Sequence, residues 1–407
     1  DAVLAGRAVA HPVTAAAGCR ISRALAARQD GPVTYCKDVA RILQKNCQEC
    51  HRPGQIGPMP LLTYDDAKDW AETVREVVQD RRMPPWYADP RYGKFDNDRR
   101  LSHDDRALLL RWIDQGCPKG NEKDLPPPRD FVRGWTMHEP DLVLTMNEDF
   151  AVPAKAPRGG IPYQYFTVDP HFTEDRWVVE AEARAGAPEV VHHVIVFILP
   201  AGKTFNPDNP NNAVLCGAAP GDTVTRLPPG AAKRIPAGAR LVFQLHYTPD
   251  GKPHTDRSRV GLLFAREEPR YESRTIPVLN PFFRIPAGAD DFRVDSRHTF
   301  KQNVLLLGFM PHMHLRGKDF LYEVVSPAGE KEVLLSVPHF DFNWQAVYRL
   351  AEPRPMPKGS SIHCVAHFDN SGGNPNNPDP TKSVTWGDQT WEEMMIGWVE
   401  CGFERRH

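Results

Sequence analysis

The sequence predicts a mainly β protein: two β-sandwich or jelly-roll domains preceded by a small all-α domain. Three observations carry this. From about Phe131 onward, short alternating runs are bounded by Pro, Gly, Asn and Asp, the pattern of strands joined by tight turns. Before that point apolar residues recur at helical spacing. The chain holds 40 prolines in 407 residues, about twice the usual share, which favours long loops and short strands over helical bundles. The length suffices for two or three domains with ample core. The expected division is an N-terminal segment 1–32, a helical domain 33–125, a linker 126–158 opened by Pro126-Pro-Pro128, a first sandwich 159–285 and a second 286–407. The sandwiches divide near Pro281–Asp291.

In the helical domain, Asp38–Lys45 forms the first helix. Thr63–Asp80 follows with Trp70, Val74 and Val77 on one face, then Asp104–Gln115 with Leu108, Leu109, Trp112 and Ile113. Ser102 or His103, before Asp104-Asp105, starts the last helix. After the first helix comes Cys47-Gln-Glu-Cys50-His51, a C-x-x-C-H run that reads as a covalent c-type haem attachment site. The two thiols suit thioether bonds to the haem vinyl groups, and His51 is placed to bind the iron from one face. A zinc site would need two further Cys or His ligands at matching spacing, and none lies near. Met83, within Arg82-Met-Pro-Pro-Trp86, supplies the second axial ligand, a soft thioether that raises the iron potential. Met59 sits only eight residues after His51, too close to reach round to the opposite face easily. Helix, haem loop, helix, Met loop and helix together have the layout of a small all-α cytochrome c domain carrying heme c.

The β region is read from Trp177–Ala183, Val190–Leu199, Arg240–Tyr247, Val260–Phe264, Asn303–Phe309, Lys331–Ser336 and Ser360–Phe368, with Asn370–Pro380 as a loop. The apolar run Val190–Pro200 is too short to span a bilayer. A net charge of −2 with interspersed signs offers no stripe for nucleic acid and no polybasic patch for a membrane surface. Apart from the haem pair, six cysteines remain: Cys19, Cys36, Cys117, Cys216, Cys364 and Cys401. Cys36 and Cys117 flank the haem segment and are expected either as a disulfide staple or as free buried thiols. Asp1–Gly6 reads as the end of a capped helix rather than a signal peptide, as in a mature form or a piece of a longer chain. Because haem c is attached outside the cytoplasm, a periplasmic or otherwise extracytoplasmic bacterial location is expected.

Three histidine groups stand out in the β region: His192-His193, His246 and His312-Met-His314. Residues two apart on a strand project to one face, so His312 and His314 can share a metal. Adjacent His192 and His193 point to opposite faces unless the strand is bulged or ends there, and His246 can complete a three-nitrogen set with them. The Met394-Met395 pair offers a thioether to the other site. Imidazoles with a thioether suit copper, particularly Cu(I), whereas zinc gains little from methionine. His363 and His367 are read as core, surface or outer-shell groups, and His138, His171, His254, His298 and His339 receive no role.

The segments around His192-His193, Gln244–Tyr247, His312–Lys318 and Glu392–Trp398, in this order, resemble the copper type II ascorbate-dependent monooxygenases, the family of peptidylglycine α-hydroxylating and dopamine β-monooxygenases. The likeness covers about residues 160–407. It implies two jelly-roll domains facing each other across a cleft, one copper in each. By matching position, His192, His193 and His246 resemble the copper that passes an electron. His312, His314 and Met394 resemble the copper that binds O2 beside substrate, Met394 being preferred over Met395 because it follows Glu392-Glu393. Departures bear on substrate. Met310 stands where the peptidylglycine enzymes have an arginine, Trp398 where they have a substrate-binding tyrosine, and Ile396 where they have an asparagine. Loss of an arginine fork argues against a carboxylate substrate and for a more apolar pocket. Cys364 matches a disulfide-bonded position, but its partner position here is Met395. Residues 1–30 resemble the trailing end of a redoxin-type thioredoxin-fold domain.

The expected function is therefore an exported haem c/copper monooxygenase with two copper ions, using O2 on an apolar small molecule. Electrons would come from a redox protein or quinone-linked donor, inside or outside a larger redox complex. Two alternatives belong to other classes: a non-enzymatic electron-transfer or scaffold subunit, and a copper storage or delivery protein.

Overall fold

The computed structural model describes residues 31–131, 134–157, 160–218 and 224–405. The redoxin-like segment with Cys19 lies outside the described residues. The chain is mainly β, with twenty-one strands and four α-helices among the described residues. None of these helices is long and apolar enough to cross a membrane.

The helices come first. Thr34 caps a π-helical turn at Tyr35–Val39 that runs into α1, Ala40–Asn46, slightly later than the helix expected over 38–45. The single helix expected over 63–80 is two helices, α2 (Tyr64–Asp69) and α3 (Ala71–Gln79). A reciprocal capping box between Thr63 and Asp66 starts α2, and the backbone leaves helical geometry at Trp70 (φ −99°, ψ 10°). That break rotates the apolar face. Ala71, Val74 and Val78 are buried, while Trp70 is 42% exposed, contrary to its expected place on the inner face. The last helix, α4, spans His103–Asp114, with the Ser102 hydroxyl accepting the Asp105 N–H. Its Leu109, Trp112 and Ile113 pack with Tyr35, Val39 and Leu43 in one core.

Cys36 and Cys117 lie in that core as free thiols, so the staple is absent. Backbone bonds tie the two ends instead, from Tyr35 N–H to Pro118 O (2.9 Å) and Cys36 N–H to Lys119 O (3.0 Å).

The strands enclose two cores, one around Val196, Phe243 and Leu262, the other around Leu306, Tyr322 and Phe368. On the first lies a four-stranded sheet in the order Gln164–Val168, Arg240–Tyr247, Val191–Leu199, Ala213–Ala218. On the second lies another, ordered Phe292–Thr299, Ser361–Phe368, Gly317–Val325, Lys331–Val337. A nine-stranded sheet runs past both. Its middle strands are Arg176–Arg184, Ala231–Ile235, Tyr271–Leu279, Ile396–Glu404 and Val304–His312.

Two expected boundaries shift. Tyr271–Leu279 pairs along its whole length with Ile396–Glu404, but only Tyr271 and Glu272 pair with Ala231 and Ala232. This strand carries Val278 into the second core. The change of core therefore falls before Tyr271, not at Pro281–Asp291. The linker expected over 126–158 also ends early. Leu142–Thr145 and Phe150–Val152 pair with Arg259–Phe264 and His254–Asp256, and Met146 and Val152 are buried in the first core. Such short runs have too few alternations to stand out by period.

Met83 N–H still donates to Val77 O of α3 (3.1 Å), but the loop after it leaves the helical core. Trp86, Ala88 and Phe95 are buried in the second β core. Trp86 meets Tyr348 edge-on at 4.8 Å. Asp89 N–H donates to Ser336 O (2.8 Å), and Asn97 Nδ2 donates to Val347 O (2.7 Å). Residues 33–125 thus do not pack only on themselves, because their aromatic loop plugs the neighbouring β core.

Candidate functional site

The first cluster forms because one strand is irregular. His193 and His246 sit opposite each other on neighbouring antiparallel strands, and the register shifts between Val191 and His193. That irregularity lets two sequential histidines turn to the same side. His192, His193 and His246 each offer a nitrogen, all within 4.8 Å of one another, and the Nδ1 atoms of His192 and His193 are 3.3 Å apart. Tyr163 closes one side, its ring edge-on to His193 at 5.5 Å and to His246 at 5.1 Å.

The second cluster lies where Val304–His312 ends. His312 and His314 face each other at 5.3 Å between ring centroids, while Met313 between them is buried in the core. Each imidazole has its Nδ1 hydrogen engaged, since the acceptors are carbonyl oxygens: Gln345 Oε1 for His312 (2.6 Å) and Glu392 O for His314 (3.2 Å). Gln345 is oriented in turn by donating its amide to Phe342 O (3.2 Å). The Nε2 lone pairs are thereby left for a metal, the usual outer-shell arrangement around ligating histidines. The fully buried carboxylate of Glu393 accepts the His314 N–H (2.9 Å) and the Arg316 N–H (2.7 Å). These bonds hold the 392–394 segment against His314. Met395 is fully buried in the core, and Met394 is half-buried next to Glu393.

One ring touches both clusters. Phe342 stacks on His192 (5.4 Å between centroids, 14° between planes) and meets His314 edge-on (6.0 Å, 89°). Electrostatics agrees with this closeness. Burial, followed by the charges of His246, His192, His312 and His314, holds His193 well below its ordinary value. Burial also pushes His246 down to about 4 and His314 to about 3, and lowers His192 and His312. All five imidazoles are therefore neutral donors near pH 7.

A pH dependence follows. The folded values lie below the unfolded value of about 6.5, so the unfolded chain takes up more protons as pH falls below 6.5. The metal-free chain is expected to lose stability from pH 7 to pH 5, a window in which unfolded carboxylates stay largely ionised. Urea midpoints at the two pH values check this, and an equal or higher midpoint at pH 5 contradicts it.

In the C-x-x-C-H segment, His51 N–H donates to Cys47 O (2.9 Å) and Cys50 N–H to the same oxygen (3.2 Å). His51 Nδ1 bonds Met59 O at 3.1 Å, so the ring is oriented through Nδ1 and Nε2 remains for iron. Met59 thus serves through its carbonyl. Cys47 and Cys50 are free thiols, Cys47 being pushed up to about 12 by burial. Three residues past Met83, the buried Trp86 indole N–H has no hydrogen-bond partner. That orphan costs about 1–3 kcal/mol and lies among Phe95 and Tyr348 of the second β core. The two free thiols and the Nδ1-oriented ring of His51 fit a covalently held haem. Gly57 lies tight beneath the motif, where an added Cβ would come within 2.6 Å of Cys50 O and 2.9 Å of His51 Cα. Gly57→Ala is expected to destabilise the segment by about 1–3 kcal/mol and to lower haem attachment, read from the haemochrome absorbance per chain. Wild-type attachment and melting temperature would refute the close fit.

No protein-family model and no curated protein matches the chain. Among solved structures, the chain is similar to the major capsid protein P2 from bacteriophage PM2 at 8% identity and a TM-score of 0.28, over 65% of this chain and 98% of that one. It is also similar to the infectious bursal disease virus VP2 subviral particle at 9% identity and a TM-score of 0.21, over 67% of this chain and 75% of that one. Likenesses this slight carry no argument about fold or function.

Several histidines without a metal reading have carboxylate partners: His138 with Glu180, His254 with Asp250, His363 with Asp295 and His367 with Asp319. Sequence reasoning missed Tyr163, Phe342 and Gln345. None has a local signal, because each reaches its cluster from a distant part of the chain.

Proposed function

We propose that this chain is an exported haem c/copper monooxygenase, hydroxylating a C–H bond of an apolar small molecule with O2. Electrons come through its own haem from a redox protein or quinone-linked donor. On this reading the two β cores are the jelly-roll domains of the copper type II monooxygenases, and the helical segment is a cytochrome c domain. The observation that carries it is the gathering of five neutral imidazoles into two adjoining sets, one of three and one of two, the second held against the segment that leads into Met394. Three imidazoles suit several divalent metals, and the thioether selects copper for the second set. Heme c and the two coppers would supply one-electron transfer and the reduction of O2.

The chain's own residues hold and orient. Gln345 and the Glu392 carbonyl hold the imidazoles of the second set in one tautomer, and Glu393 holds its backbone. Met310 and Trp398 are cross-strand partners two residues before His312, so they extend an apolar surface along the face that carries His312. This supports an apolar substrate rather than a carboxylate.

Stopped-flow mixing of the reduced-haem, copper-loaded chain with O2 tests the reading. Fast haem reoxidation is expected with copper and slow reoxidation without it. A haem that stays reduced in copper-loaded protein overturns the relay, and equal rates with and without copper favour a simple electron-transfer subunit.

A further inference from the structure

One short loop touches both histidine clusters and the segment after Met83, and none of its residues is a predicted ligand. Asp341 Oδ2 accepts the hydroxyl of Tyr87 (3.3 Å), four residues after Met83 in the loop that packs on the second β core. Phe342 lies against His192 on one side and His314 on the other. Gln345 accepts the Nδ1 hydrogen of His312 and donates to Phe342 O. The loop is braced internally as well, Asp341 Oδ1 accepting the Asn343 N–H at 2.9 Å. Moving Phe342 therefore disturbs one imidazole in each cluster and pulls on the glutamine that orients a third.

We propose that Phe342 is a positioning residue shared by both histidine clusters, and that the Asp341–Gln345 loop locks it to the loop after Met83 through Tyr87. The metal part of this inference rests on the copper reading. The geometric part does not. Two separate sites would each be tuned by their own surroundings, whereas a shared ring makes them respond together.

The test uses the full chain with haem attached. In the copper-free protein, Phe342→Leu is expected to move the imidazole C–H resonances of both His192 and His314, since the ring current acts on each. With Cu(II) added, the same variant should change the electron paramagnetic resonance signals of both sites and weaken each by about tenfold, the low end for loss of an outer-shell partner. Phe342→Tyr, which keeps the ring, should restore both. Tyr87→Phe should move the same two imidazole resonances by less, with the haem spectrum unchanged. A response confined to one cluster, or none from Tyr87→Phe, overturns the shared lock whether or not copper binds. Failure to take up copper while both imidazoles still shift together overturns the copper reading and leaves the shared ring standing.

Discussion

Glu393→Ala is expected to cost about 2–6 kcal/mol of folding stability, because it leaves two buried backbone donors without an acceptor at about 1–3 kcal/mol each. The carboxylate is fully buried and accepts two backbone N–H groups, from His314 and Arg316, with the Arg316 guanidinium 4.0 Å away. Removing it strands both donors in a place that water does not reach, each costing about 1–3 kcal/mol. Arg316 is only 2% exposed and would keep just its bonds to Asn370 Oδ1 and Trp391 O. The same change frees His314 from the 392–394 segment. On the copper reading, metal affinity at the second cluster should fall by roughly 10- to 100-fold. Denaturant midpoints at unchanged slope read the first effect and copper titration the second. A loss under about 1 kcal/mol, the scale of one ordinary hydrogen bond, would show that the network does not hold the site.

His246→Ala carries the largest expected effect on metal binding. It removes one of three nitrogens that converge within 4.8 Å, and with it the ring that meets Tyr163, His192 and His193. Loss of a ligand should exceed the roughly 100-fold upper range for loss of an outer-shell partner, so on the proposed copper reading the chain is expected to bind one copper instead of two. The folded state should tolerate the change, because His246 is half-buried and its strand keeps its pairing with Val191–Leu199. Elemental analysis after gel filtration, with circular dichroism as the folding control, decides the matter. Two tightly bound coppers in the variant would remove His246 from the site.

Local pattern made a good part of this molecule legible. The strand over Arg240–Tyr247 was readable from alternation, and Ser102 was readable as a helix start from its side-chain oxygen. The histidine groups stood out because imidazoles two apart on a strand share a face. The bulge needed to bring His192 beside His193 could be named as a condition, but its occurrence depended on how two strands pair. Helix continuity failed at Trp70, where a capping box and a backbone break outweighed a plausible apolar spacing. Of the two readings left open for Cys36 and Cys117, free buried thiols hold and the staple does not, because sharing a core does not require a bond.

By itself the sequence determined the chemistry on offer: two thiols with an imidazole, five further histidines, a methionine pair, and a helical stretch ahead of a β region. Those are properties of residue type and short spacing, which survive whatever the chain does at long range. The tertiary structure alone decided which of them meet. The Trp86 loop buries itself in a β core more than 200 residues away in the chain, and Phe342 comes to lie between two clusters. Such contacts are chosen by packing complementarity and polar satisfaction across the whole fold, and no window of sequence contains both partners.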